Sequence, residues 1–173
     1  MRIKAIILGA ALVAAAIVFL AFNNLEANTV NTNIKKLVKD YSTGNVPGES
    51  VSITSHELIV TESDGSERIY ELPEDDFFVS IAPYVKETHP CAIHNLTGCQ
   101  GEMVNEEFSV YIEDEEGNPI VDETMKSQDN GFIDIWIPRD RTYQISVSYN
   151  GKTAESTISS FEGDDTCITT MQL

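Results

Sequence analysis

Positive charge is scarce in this sequence. Its 173 residues include 11 Lys+Arg against 28 Asp+Glu, for a formal net charge of −17 and a pI ≈ 4.3. Such a surface repels phosphate backbones, which argues against nucleic-acid binding. It argues equally against electrostatic docking on anionic lipid. Cysteine and histidine are sparse, with three of each, and tryptophan occurs once. No Gly-x-Ser-x-Gly, His-Glu-x-x-His or P-loop pattern is present, so the common signatures of hydrolases, zincins and nucleotide-binding enzymes are missing. Apolar residues are not scarce. They make up 42% of the chain and fall in patterned runs, which is not the composition of a wholly disordered protein.

Part of that 42% sits in one segment. Arg2 and Lys4 precede an apolar run from Ala5 to Phe22. As a helix this run would be about 27 Å long, close to the hydrocarbon thickness of a bilayer. Residues 1–22 therefore read as a signal peptide or signal anchor, with the positive end inside. Leu25-Glu26-Ala27 is a poor cleavage site, which favours the anchor, and no cysteine follows the run to carry a lipid. In both readings the rest of the chain works outside the cytoplasm, in the periplasm or at the cell surface. The membrane is contacted only through the N-terminal segment.

Two further parts are expected, 28–85 and 86–173. In the first, Ile34, Leu37, Val38 and Tyr41 recur at helical spacing, with Lys35, Lys36 and Lys39 opposite and Gly44 and Pro47 as stops. From Ser50 the period becomes two. Asp64-Gly65 between apolar runs marks a hairpin, and Phe77 to Tyr84 reads as a strand buried on both sides. The first part is thus a small α+β unit of one helix and about four strands. After residue 101 the β pattern resumes with Phe108, Val110 and Ile112. It continues through Phe132 to Ile137, the alternation Tyr143, Ile145, Val147 and Tyr149, and the type I′ turn pair Asn150-Gly151. A final strand is expected from Thr166 to Leu173, with Cys167, Thr169, Met171 and Leu173 on one face. The fold class is mostly β (α+β), and its C-terminal part is a small antiparallel sandwich.

Residues 86–101 have little regular period and are punctuated by Pro90, Gly98 and Gly101. They hold two of the three histidines and two of the three cysteines: His89, Cys91, His94 and Cys99. Cys167 lies far downstream. Thiolates with imidazole suit Cu(I) or Zn(II). Cys91, Cys99 and Cys167 supply the low coordination number Cu(I) prefers, provided the last strand packs beside the loop. A Cys91–Cys99 disulfide with one free thiol accounts for the same residues in an oxidising compartment, and spacing does not choose between the two. His56 stands in a strand pattern without ligand neighbours. The run Glu113-Asp114-Glu115-Glu116 lacks calcium-loop spacing and reads as a solvated turn. A Cys91/His94 nucleophile–base pair has no third group to orient it, so no enzyme is expected.

These residues carry a family resemblance. Cys91-x-x-His94-x-Leu96-Thr97-x-Cys99-x-Gly101-Glu102, followed by Asp165-Thr166-Cys167-x-Thr169-Thr170 near the C-terminus, resembles the CueP family of periplasmic copper-binding, copper-resistance proteins. The resemblance implies that Cys91, Cys99 and Cys167 ligate copper. His94 would be a fourth or transfer ligand and His89 a weaker candidate. The expected cargo is Cu(I), with zinc as the alternative metal. The expected role is to sequester Cu(I) or pass it to a secreted cuproenzyme or copper exporter, with stoichiometric reduction of Cu(II) by the thiols. A homodimer is compatible with this reading. The competing expectation is an anchored surface adhesion module with a structural Cys91–Cys99 disulfide.

Overall fold

The computed structural model describes residues 33–46 and 50–173. The leader assigned to residues 1–22 lies outside the described residues. Among the described residues no helix is long and apolar enough to cross a membrane. The chain divides into two compact units, Met1–Lys36 and Leu37–Leu173, and the sheets and the cysteine cluster all belong to the second.

Residues 33–42 are helical. The helix ends where the sequence placed its stop. Gly44 N–H bonds the Tyr41 carbonyl and Asn45 N–H bonds the Asp40 carbonyl, the paired closure of a Schellman cap. Val38 and Tyr41 are buried, while Lys36 and Lys39 are exposed, as the spacing predicted.

The described residues are mostly β, in three sheets. The first contains β1 (Ser50–Ile53), β2 (Glu57–Thr61), β3 (Glu67–Glu71) and the short β5 (His94–Asn95), in the order β3-β2-β1-β5. The second runs β10-β9-β6-β7, from β6 (Glu107–Asp114), β7 (Pro119–Lys126), β9 (Thr142–Tyr149) and β10 (Lys152–Ser159). The third is β11-β4-β8, from β4 (Asp76–Ile81), β8 (Ile133–Pro138) and β11 (Cys167–Ile168). β4 precedes residue 86 and both its partners follow it, so this sheet draws on both parts expected from the sequence.

The turns follow their chemistry. Asn150 and Gly151 both have positive φ (49° and 78°), which a type I′ turn requires, and Tyr149 pairs with Lys152 across it. The acidic run at 113–116 is only partly the solvated turn expected: Glu113 and Asp114 end β6 and Asp114 is buried, while Glu115 and Glu116 are exposed in a turn held by Asp114. Its carboxylate accepts from the N–H groups of Glu116 and Asn118 and from the Asn118 amide.

The third sheet is covered on both its faces. Phe77, Val79 and Ile81 of β4 and Ile133, Ile135 and Ile137 of β8 point to one side. There they form a continuous apolar core with Phe108, Val110, Ile112, Tyr143, Ile145 and Val147 of the second sheet. The alternate residues, Phe78, Ser80 and Ala82 with Phe132, Asp134 and Trp136, point the other way. Two covered faces explain why β4 reads as a nearly unbroken apolar run.

The last segment departs from the expected strand in two respects. β11 is two residues long and pairs parallel to β4, with Cys167 opposite Ser80 and Ile168 opposite Ile81. Beyond it only a parallel bridge, Tyr84 to Gln172, continues the pairing. Regular alternation therefore stops at Ile168, and the expected single face splits. Cys167 packs with Ala82 and Phe132, while Met171 and Leu173 pack against the main core.

Candidate metal centre

The site is built on the second face of the third sheet. Cys167 enters from β11, beside Ser80 of β4. The segment carrying Cys91, His94 and Cys99 is laid over that face by backbone bonds rather than by a long ladder. Ala92 carbonyl accepts from both Thr166 N–H (2.9 Å) and Cys167 N–H (3.1 Å). β5 places His94 opposite Ile53 of β1. Cys99 N–H closes a turn onto the Asn95 carbonyl at 2.9 Å, and Asn95 Oδ1 accepts from Thr97 N–H and its hydroxyl. The Asn95 amide nitrogen donates to Ser50 Oγ at 3.0 Å, so one end of the side chain holds the turn and the other ties it to β1.

Two glycines permit the close approach. Gly101 N–H bonds the Asn130 carbonyl at 2.7 Å. A Cβ on Gly101 would lie 2.7 Å from the Gly131 carbonyl oxygen, and one on Gly131 would lie 2.6 Å from that of Gly101. Gly131 also has φ +79°, a left-handed conformation that costs other residues energy. The glycine that punctuates the segment at 101 thus marks a close backbone approach, and its partner is Gly131.

Four of the five residues singled out from the sequence converge. Cys91, His94, Cys99 and Cys167 place one ligand atom each within 4.8 Å of one another. Cys91 Sγ is 3.7 Å from Cys99 Sγ, and Cys167 Sγ is 3.5 Å from His94 Nδ1. All three cysteines are free. Metal–sulfur bonds of about 2.3 Å separate tetrahedral ligands by about 3.8 Å, so these spacings fit one metal ion. His94 and Cys167 are buried, whereas Cys91 and Cys99 are half-buried. The cluster thus has a dry floor and a rim reachable from solvent. His89 stands at that rim, its ring edge-on to Phe132 with centroids 6.4 Å apart. It is outside the four-residue cluster. His56 is exposed and also outside it.

The protons within the cluster are unevenly shared. The Cys167 thiol and then the His94 ring donate toward Cys99, holding its sulfur well below the ordinary thiol range. Cys167 is pushed up, first because its proton serves Cys99 and then by burial. Burial likewise raises Cys91. One sulfur is therefore a ready thiolate and two are thiols. His94 Nε2 is buried without a hydrogen-bond partner. A buried unsatisfied nitrogen is costly; the ring nitrogen that faces the sulfurs is the other one, Nδ1, at 3.5 Å from Cys167 Sγ.

The walls were not read from the sequence. Phe132 lies 4.5 Å from the His94 ring, centroid to centroid, and Phe78 lies 6.3 Å from it. Phe78 is held edge-on by Trp136. Parity was the available signal, since Phe132, Asp134 and Trp136 share one face of a period-two strand.

A family model described as periplasmic copper-binding protein CueP matches residues 34–172. Among solved structures, the chain is similar to one titled "Crystal Structure of S.CueP". The identity is 39% and the TM-score 0.76, with 81% of this chain and 88% of that chain covered. No curated protein matches.

Proposed function

The chain belongs to the CueP family of periplasmic copper-binding proteins, and on that premise we propose that it binds Cu(I) outside the cytoplasm through Cys91, Cys99 and Cys167, with His94 as a fourth or transfer ligand. The observation that carries this reading is the convergence of the four donor atoms within 4.8 Å. Soft thiolates suit a soft monovalent ion, and three of them satisfy its low coordination number. Cys99 as a ready thiolate makes the first bond, and Cys91 and Cys167 release their protons as they join. The half-buried rim at Cys91 and Cys99 is the entry, and the buried pair Cys167 and His94 withholds the ion from solvent.

The same cluster accounts for Cu(II). Cys91 and Cys99 give up one electron each to two Cu(II) ions, lose the thiol protons still present, and join as a disulfide. Two Cu(I) ions result. The reaction is stoichiometric, without turnover, and an outside reductant must restore the thiols. Sequestering Cu(I) limits its redox cycling and so confers copper tolerance; the held ion is then passed to a secreted cuproenzyme or an exporter. A Cys₃His donor set also fits tetrahedral zinc, and His94 as fourth donor is what favours that second reading.

Titration of reduced protein against a Cu(I) chelator tests the proposal, with one tightly held Cu(I) per chain expected. Thiol counting on denatured, metal-free protein isolated without air gives three free thiols on this account. A count of one, with Cys91 linked to Cys99, would contradict it and favour the adhesion module. Metal analysis after loading with copper and zinc together separates the two metals.

A further inference from the structure

We propose that Thr166 is a positioning residue whose hydroxyl sets the separation of His94 and Cys167 and thereby the affinity for the metal; this rests on the copper reading above. Thr166 is 1% exposed and ligates nothing. A hydroxyl has one proton to give and lone pairs to receive, and here both functions are used. Thr166 Oγ1 donates to the Ile53 carbonyl at 2.6 Å and accepts from His94 N–H at 3.0 Å. Ile53 and His94 are one of the two pairs that face each other across β1 and β5. One hydroxyl therefore bridges that pair and fixes the backbone from which the His94 ring projects.

The backbone of Thr166 fixes the other side. Its carbonyl accepts from Ser80 N–H at 2.8 Å, and its N–H donates to Ala92 at 2.9 Å. The next residue is Cys167. The path from the His94 backbone to the Cys167 backbone is thus one hydrogen bond and one residue long. Through it the β1/β5 sheet is joined to the third sheet at the point where Cys167 Sγ meets His94 Nδ1 at 3.5 Å. Partners that orient metal ligands set affinity by 10- to 100-fold in general, because a loosened donor no longer offers its atom at bonding distance.

Ser127 provides the control. It too is 1% exposed, donates to the Met103 carbonyl at 2.7 Å and accepts from Glu106 N–H at 3.0 Å. Neither of its partners is a residue of the cluster. The experiment compares the full chain with Thr166→Val, Thr166→Ser and Ser127→Ala. Reduced, metal-free protein is titrated with Cu(I) against a chelator at one pH, alongside its thermal unfolding. The expected result is a loss of Cu(I) affinity of about 10- to 100-fold for Thr166→Val, with Thr166→Ser restoring it. Ser127→Ala should melt earlier and bind copper as the unaltered chain does. If Thr166→Val does not fold, Thr166→Ala, which leaves room for a bridging water, should show the same loss of affinity. The proposal is overturned if folded Thr166→Val or Thr166→Ala binds like the unaltered chain, if Thr166→Ser is as weak as Thr166→Val, or if Ser127→Ala loses as much. Failure of the unaltered chain to bind Cu(I) would instead remove the copper reading, and this proposal with it.

Discussion

The two faces of the third sheet are made by the same strands and held by different forces. On the core face, Phe77, Val79 and Ile81 and Ile133, Ile135 and Ile137 pack into one apolar cluster, with the Arg139 guanidinium over the Phe77 ring at its edge. Hydrocarbon burial stabilises that side, without direction and roughly in proportion to area. On the site face the neighbours are Ser80, Asp134, His94 and three thiols. The Asp134 carboxylate accepts from Ser80 (2.6 Å), Ser42 (2.5 Å) and Gln128 (2.8 Å), which ties the helix end and the Gln128 turn to the sheet. The core face tolerates many apolar sequences of similar volume. The site face depends on particular donors, acceptors and close approaches. The fold is therefore secured mainly on one side of the sheet, and the four donor residues that could hold a metal are collected on the other.

Substitutions on the two faces should separate stability from metal binding. The largest stability loss is expected from Phe77→Ala on the core face, about 3–5 kcal/mol. Denaturant unfolding measures it, and the protein that remains folded should still take one Cu(I). Gly131→Ala is next. Its left-handed φ costs about 1–2 kcal/mol, and the 2.6 Å approach to the Gly101 carbonyl adds overlap that backbone can relieve only by moving. Both stability and Cu(I) affinity should fall, since Gly101 stands two residues after Cys99. Gly151→Ala sharpens the comparison. Gly151 has φ +78° and nothing within 4 Å of the added carbon, so it should lose about 1–2 kcal/mol and leave copper binding unchanged. A Gly151 variant that weakened copper binding would show that the two faces are not separable.

A smaller and graded effect is expected from pH. Cys91 and Cys167 have raised pKa values, so they are protonated at neutral pH and the metal must displace those protons. Cu(I) affinity should fall as pH falls, by about tenfold per pH unit for each proton displaced. Cys99 is held low and adds to this slope only in strong acid. Titrations at several pH values measure it, with core-face variants expected to share the slope.

Period two made the core face legible in the sequence, because residues such as Tyr143, Ile145 and Val147 advertise both strand and orientation. The hairpin at Asn150-Gly151 was legible for a local reason, its demand for positive φ. The cluster members were legible by chemistry, since thiols and imidazoles are rare in this chain. Their convergence was not, because it depends on long-range pairing of Cys167 with Ser80. The end of β11 at Ile168 was also hidden, since alternation in Thr166–Leu173 carries on in the sequence after pairing has stopped. Thr166 and Gly131 escaped for the same reason. A buried hydroxyl and a close backbone approach have meaning only through partners far away in the chain, here Ile53 and Gly101.

Cys167→Ser tests the central claim most directly. It removes the one sulfur that β11 delivers from the far end of the chain and leaves Cys91, His94 and Cys99 in their loop. Reduced protein is titrated with Cu(I) against a chelator, beside the unaltered chain at the same pH. The account predicts that the variant stays folded and loses tight Cu(I) binding, releasing the ion to a chelator that the unaltered chain outcompetes. Unchanged Cu(I) affinity in Cys167→Ser would contradict the three-thiolate site.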